Sequence, residues 1–131
     1  MGIVIDTCVL VLAEKSGILP DLKQLEDEMY MSAITVSELL VGVHRANTSE
    51  RRLKRAAFVD TVLKAIPVLD FTAQVAHIHA EICAALAEKG QTIGAHDSQI
   101  AATALTYNYA ILTYNQREFE RVPGLKLIKT S

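Results

Sequence analysis

Cysteine is scarce in this 131-residue chain, which has only Cys8 and Cys83. Two are too few for a disulfide framework, and reduced thiols are the expectation. Long apolar runs are missing as well: none approaches the roughly 20 residues needed to span a bilayer. The first residues show neither the basic start and apolar centre of a secretory signal nor a myristoylation pattern, since Asp6 stands where Ser or Thr is required. An excess of positive charge is also lacking. Thirteen basic and fifteen acidic side chains give a formal charge of −2, so any attraction to nucleic acid must come from a local patch. Four tyrosines and three phenylalanines leave little for base stacking. There is no internal repeat, low-complexity tract or linker. The expectation is a soluble, cytoplasmic, single-domain protein without a membrane partner.

What is present is apolar and ordered. Half the residues are hydrophobic and 21% are charged, a globular composition. Three stretches read as strands, Gly2–Asp6, Pro67–Leu69 and Tyr109–Thr113, with weaker candidates at Met29–Ser32 and Leu125–Lys129. The first is continuously apolar, as suits a parallel strand covered on both faces. Between them, Val75, Ile78, His79, Ile82, Cys83 and Leu86 follow a helical period that stops at Gly90. Val36, Leu39, Leu40 and Val43 give a second stripe. Further helices are expected near 8–15, 20–28, 50–65 and 97–107. Alternating strands and helices predict an α/β sandwich around a mostly parallel sheet, with its ligand crevice at the carboxyl ends of the strands.

The acids then separate themselves. Asp6 ends the buried strand in "GIVIDTCVL", where an unpaired charge is costly; it caps the following helix or serves a site. Asp97 precedes Ile100, Ala101 and Ala104 and so falls on the apolar stripe of its own helix, at an N-terminus whose dipole favours its charge. Glu38 in "TVSELLVGV" lies about 150° around its helix from the Val36/Leu40/Val43 stripe. Gly42, one turn on, leaves room beside it for something to approach. In "LTYNQREFERVPGL" a strand end leads into a turn carrying Asn115 and Glu118. Carboxylates gathered at one sheet edge repel unless a cation neutralises them. Oxygen ligands without converging His or Cys select a hard ion, Mg²⁺ or Mn²⁺, which suits phosphodiester chemistry.

"IVIDTCVL", "SAITVSELLVGV", "IGAHDSQIAATAL" and "ILTYNQREFERVPGL", in this order and over essentially the whole chain, resemble the PIN-domain ribonucleases. Within them the chain is most similar to the VapC-type toxins of bacterial toxin–antitoxin pairs. The resemblance implies one PIN-like domain over residues 1–131, an α/β/α sandwich with a central, mostly parallel five-stranded sheet. It implies a divalent-metal-dependent endoribonuclease that hydrolyses RNA with a metal-activated water and leaves 5′-phosphate and 3′-hydroxyl ends. The family's acids fall on Asp6, Glu38 and Asp97, which would hold the metal, and its hydroxyl neighbour falls on Thr7. The fourth acidic place aligns with Asn115, where many members have Asp, and Glu118 is a nearby substitute. A homodimer and a VapB-type antitoxin are the implied partners, the antitoxin tail lying in a groove between helices.

Other features take plainer readings. "HRANTSERRLKR" offers Arg45, Arg51, Arg52, Lys54 and Arg55, either a solvated helix face or a rim for RNA phosphates, for which Arg45, Arg51, Arg52 and Arg55 are the candidates. Residues 44–65 are the expected dimer or antitoxin surface. His79 and Cys83 share an apolar face and read as core, not as zinc ligands. His96 reads as a surface histidine or an RNA contact. Two other function classes remain open. A phosphotransfer protein using Asp6 as nucleophile would want an acid where Cys8 stands and a lysine after the Tyr109–Thr113 strand. A catalytically weak PIN-like module that binds RNA or a partner is favoured only by Asn115.

Overall fold

The computed structural model describes residues 2–17 and 28–128. The helix expected near 20–28 lies outside them but for Glu28, as does Lys129. The elements run β1 (Ile3–Ile5), α1 (Thr7–Ser16), β2 (Met29–Ser32), α2 (Ala33–His44), α3 (Ser49–Ala65), β3 (Val68–Leu69), α4 (Ala73–Glu88), α5 (Ala95–Thr106), β4 (Ala110–Leu112), α6 (Gln116–Phe119) and β5 (Leu127–Ile128). All five strands are parallel, in the order β3-β2-β1-β4-β5. β1 is central, with Ile3 beside Met29 on one side and Ala110 on the other.

Strand side chains alternate between faces, and here the alternation divides two cores. Ile3, Ile5 and Leu112 pack with Val9, Leu10, Leu39, Val43, Val59 and Val62 from α1, α2 and α3. Val4 and Ile111 pack with Val75, Ile82, Leu86 and Ile100 from α4 and α5. A strand buried on both faces has no polar side to show, which is why β1 reads as an unbroken apolar run.

Two stripes differ from the sequence reading. The buried residues of α2 are Thr35, Leu39 and Val43, while Leu40 is exposed. A count of hydrophobic positions passes over Thr35 because its hydroxyl disguises it. On α4, Val75, Ile82 and Leu86 are buried as expected, but Cys83 is exposed and His79 half-buried, its Nε2 meeting Ser98 Oγ at 3.0 Å. The face of α4 that meets α5 is narrower than the apolar count predicts. Among the described residues, no helix is long and apolar enough to cross a membrane.

Candidate active site

The parallel sheet sends the chain out of β1 and β4 at one edge, and the acids gather there. Asp6 is the residue after β1, only 4% exposed, and its two readings prove compatible. As N-cap of α1 it accepts from Thr7 N through Oδ1 at 2.8 Å, satisfying a helix donor. Through Oδ2 it accepts from Thr113 Oγ1 at 2.7 Å and from Cys8 Sγ at 3.1 Å. Thr113 follows β4 directly, and Asp6 N donates to Leu112 O at 2.9 Å. Burial first, then the Asp6 charge among other contacts, pushes the Cys8 thiol up. The thiol therefore serves as a neutral donor to Asp6 and not as a nucleophile.

Glu38 is carried in by the second turn of α2. Its Oε1 accepts from Thr7 Oγ1 at 2.8 Å, and its Oε2 lies 3.3 Å from His96 Nδ1. His96 thus bridges α5 to α2 instead of standing free on the surface. Asp97 occupies the first turn of α5, ahead of fully buried Ile100, Ala101 and Ala104; its place on the apolar stripe is as expected. Burial, followed by the charges of Asp6, Glu118 and Glu38, pushes its pKa from 3.8 up to about 6.

The fourth place is more elaborate than a turn. Asn115 is the N-cap residue of the short α6, and its Nδ2 donates to Glu118 Oε2 at 2.7 Å. Glu118 Oε1 accepts from Gly94 N at 2.6 Å, at the start of α5. That N–H, then the Asn115 amide, holds the Glu118 carboxyl below the usual range. Phe119, fully buried, anchors this arrangement in the core. Truncating Phe119 to alanine should cost about 3–5 kcal/mol of stability, measured by urea unfolding, because it leaves a large cavity under α6.

Asp6, Thr7, Cys8, Glu38, Asp97 and Asn115 line one open cleft of about 480 Å³, with Val11, Leu12 and Lys15 on its α1 side. Glu118 stands behind Asn115. Beside the cleft is a smaller one lined by Glu38, Gly42 and Arg55 among others. A Cβ on Gly42 would meet nothing within 4 Å, so the room expected there is real. Of the basic run, Arg52 and Arg55 turn onto the carbonyls of Ala46 and Gly42 at the end of α2, and Arg51 onto Asn47. Arg45 is exposed. Arg55, 3.8 Å from Glu14, is the one that borders a cleft with Glu38.

A match to the PIN domain family model covers residues 3–125. The chain belongs to the PIN-domain family. It is 35% identical over 131 residues to Ribonuclease VapC1 of Rickettsia felis, covering 100% of this chain and 98% of that protein. It is 33% identical to the tRNA(fMet)-specific endonuclease VapC of Salmonella typhimurium, over 93% of this chain and 91% of that one. Its fold matches VapBC2 of Rickettsia felis, solved bound to a promoter DNA fragment, with a TM-score of 0.90, 28% identity and complete coverage of both chains.

The donors of this PIN domain fit a hard cation. Asp6, Glu38 and Asp97 offer only oxygen, and among the described residues no lysine or arginine forms an ion pair with them. Nor do three acidic, histidine or cysteine side chains lie close enough to enclose an ion. A divalent ion would therefore have to be held through one or two of these carboxylates, with water filling the remaining positions. Asn115 and Glu118 could add an oxygen at the edge. Sequence reasoning missed Thr113, the donor that holds Asp6, and the bridging role of His96. Both depend on which elements become neighbours, and no local pattern signals them.

Proposed function

We propose that this chain, a single PIN domain over residues 1–131, is a divalent-metal-dependent endoribonuclease acting as the toxin of a toxin–antitoxin pair. The observation that carries the proposal is the convergence of Asp6, Glu38 and Asp97 on one cleft at the strand ends, with the Asp97 carboxyl pushed up first by burial and then by its neighbours' charges. Such a cluster is arranged for a cation, and the ion supplies a more acidic water and charge stabilisation at phosphorus. Mg²⁺ or Mn²⁺ is the ion we infer from the oxygen-only donors.

The protein groups have distinct tasks. Asp6, Glu38 and Asp97 bind and orient. Thr7 holds Glu38 through its hydroxyl, and Thr113 and Cys8 hold Asp6. Asn115 presents an uncharged amide where RNA phosphates approach, and Arg45, Arg51, Arg52 and Arg55 are the basic groups available along the neighbouring rim. The relatives named as ribonucleases and the VapBC complex support RNA as substrate and a VapB-type antitoxin as partner. Leu12, Leu40, Val41 and Leu53 are large apolar side chains exposed on α1, α2 and α3 and available to that antitoxin or to a second copy. The cytoplasm is the compartment we infer for such a complex.

The test is to free the protein of any partner and incubate it with total bacterial RNA and Mg²⁺ or Mn²⁺. The new 5′ ends are then sequenced. Discrete ends that disappear with a chelator are expected, and transfer RNA is the first class to inspect, given the specificity named for the Salmonella relative. No cleavage together with no Mn²⁺ binding would overturn the nuclease and favour a PIN-like binding module.

A further inference from the structure

The buried face of α2 contains one polar residue. Thr35 is fully inaccessible and shares that face with Leu39 and Val43. Valine would fill the same space without a hydroxyl to desolvate, and an unbonded buried hydroxyl is costly. A threonine here therefore depends on what its hydroxyl bonds. Among the described residues the partner is Thr7 Oγ1, at 3.0 Å. Thr7 Oγ1 is also 2.8 Å from Glu38 Oε1.

A hydroxyl has one proton and two acceptor positions. Thr7 Oγ1 is the donor toward both oxygens, Thr35 Oγ1 and Glu38 Oε1, so its one proton lies between them and the two contacts together fix the Thr7 side chain. The three oxygens run from α2 to α1 and back. Without the Thr35 hydroxyl, Thr7 loses one of the two contacts that fix its rotamer. Glu38 is then steadied chiefly by His96, whose side chain is 61% exposed.

We propose that Thr35 is a positioning residue for the reaction, anchoring the Thr7 hydroxyl beside Glu38 and so holding that carboxylate at the cleft. This rests on the nuclease reading. Groups that act through a ligand in this way typically contribute about 10- to 100-fold in metal affinity or activity.

The experiment compares Thr35→Val, Thr35→Ser and Glu38→Gln with the unaltered chain. It measures kcat and KM on the cleaved RNA, Mn²⁺ affinity from the free-ion paramagnetic resonance signal, and thermal melting. Thr35→Val should lower kcat by about 10- to 100-fold with KM unchanged, weaken Mn²⁺ binding, and melt no lower than the unaltered chain. Thr35→Ser, which keeps the hydroxyl, should restore both kcat and Mn²⁺ affinity. Thr35→Val added to Glu38→Gln should cause little further loss, because both act through one carboxylate. Should Thr35→Val misfold, Thr7→Val interrupts the same sequence of bonds from α1 and should show the same losses. A Thr35→Val or Thr7→Val protein with unaltered kcat and Mn²⁺ affinity would overturn the inference. So would a folded Thr35→Ser protein as impaired as Thr35→Val. An unaltered chain that neither cleaves RNA nor binds Mn²⁺ would instead overturn the nuclease reading, and the inference with it.

Discussion

Asp6→Asn should reduce RNA cleavage by about 10²–10³-fold or more while the chain keeps its fold. The substitution removes a charge and little else. Asparagine keeps an oxygen to accept from Thr7 N, so α1 retains its cap, and Asn is as good an N-cap as Asp. Its amide nitrogen would replace Oδ2, which accepts from Thr113 and Cys8. The Thr113 hydroxyl can turn to accept from that nitrogen while still accepting from Asn115 N, since it has two lone pairs. The measurement is cleavage at saturating Mn²⁺ beside a far-ultraviolet circular dichroism melt. Near-normal cleavage by the variant would remove Asp6 from the reaction.

Asp97→Asn should also abolish cleavage, and it should raise the melting temperature of the metal-free protein. The sign follows from the carboxyl's displaced pKa. At about 6 in the folded chain against 3.8 ordinarily, Asp97 binds its proton more tightly when folded. Its contribution to stability is therefore lost as pH rises from about 4 through 6, and stays lost above that window. Asparagine cannot ionise. At pH 7.5 the variant should melt about 2–4 °C higher without metal, the exposed edge of the carboxyl being screened by water, and the decline between pH 4 and 6 should flatten. Divalent cation should raise the melting temperature of the unaltered chain more at pH 7.5 than at pH 5, and do little for the variant. A variant that melts lower, with the decline intact, would mean that burial and neighbouring charge do not disfavour the Asp97 carboxylate as described.

Much of this arrangement is legible in the sequence because it is local. The unbroken apolar run before Asp6 reports a strand covered on both faces, and Asp97 betrays itself by falling on its helix's own buried stripe. The family motifs carry the remaining acids, and the structure brings Asn115 and Glu118 together as one hydrogen-bonded pair. What sequence reasoning could not reach is contact between elements. Thr113 is 107 residues from the carboxylate it holds, and Thr35 is 28 from the hydroxyl it meets. Threonines in a strand end and in a helix face have no periodicity that sets them apart from packing residues. The exposed Leu40 misleads for the opposite reason: a count of apolar positions assumes that each is covered by the chain itself. The two-residue strands β3 and β5 and the single turn of α6 are too short for any period to establish.

The pairing of β1 with β4 also governs when the protein can act during its own synthesis. Asp6 leaves the ribosome well ahead of its backbone partner Leu112 and its hydroxyl donor Thr113, the latter 107 residues further along the chain. Parallel pairing across so long an interval waits for the whole intervening chain. A nascent polypeptide therefore carries the acids without the edge that assembles them. A product that stops before β4 lacks both the strand that pairs with β1 and the Thr113 hydroxyl that holds Asp6.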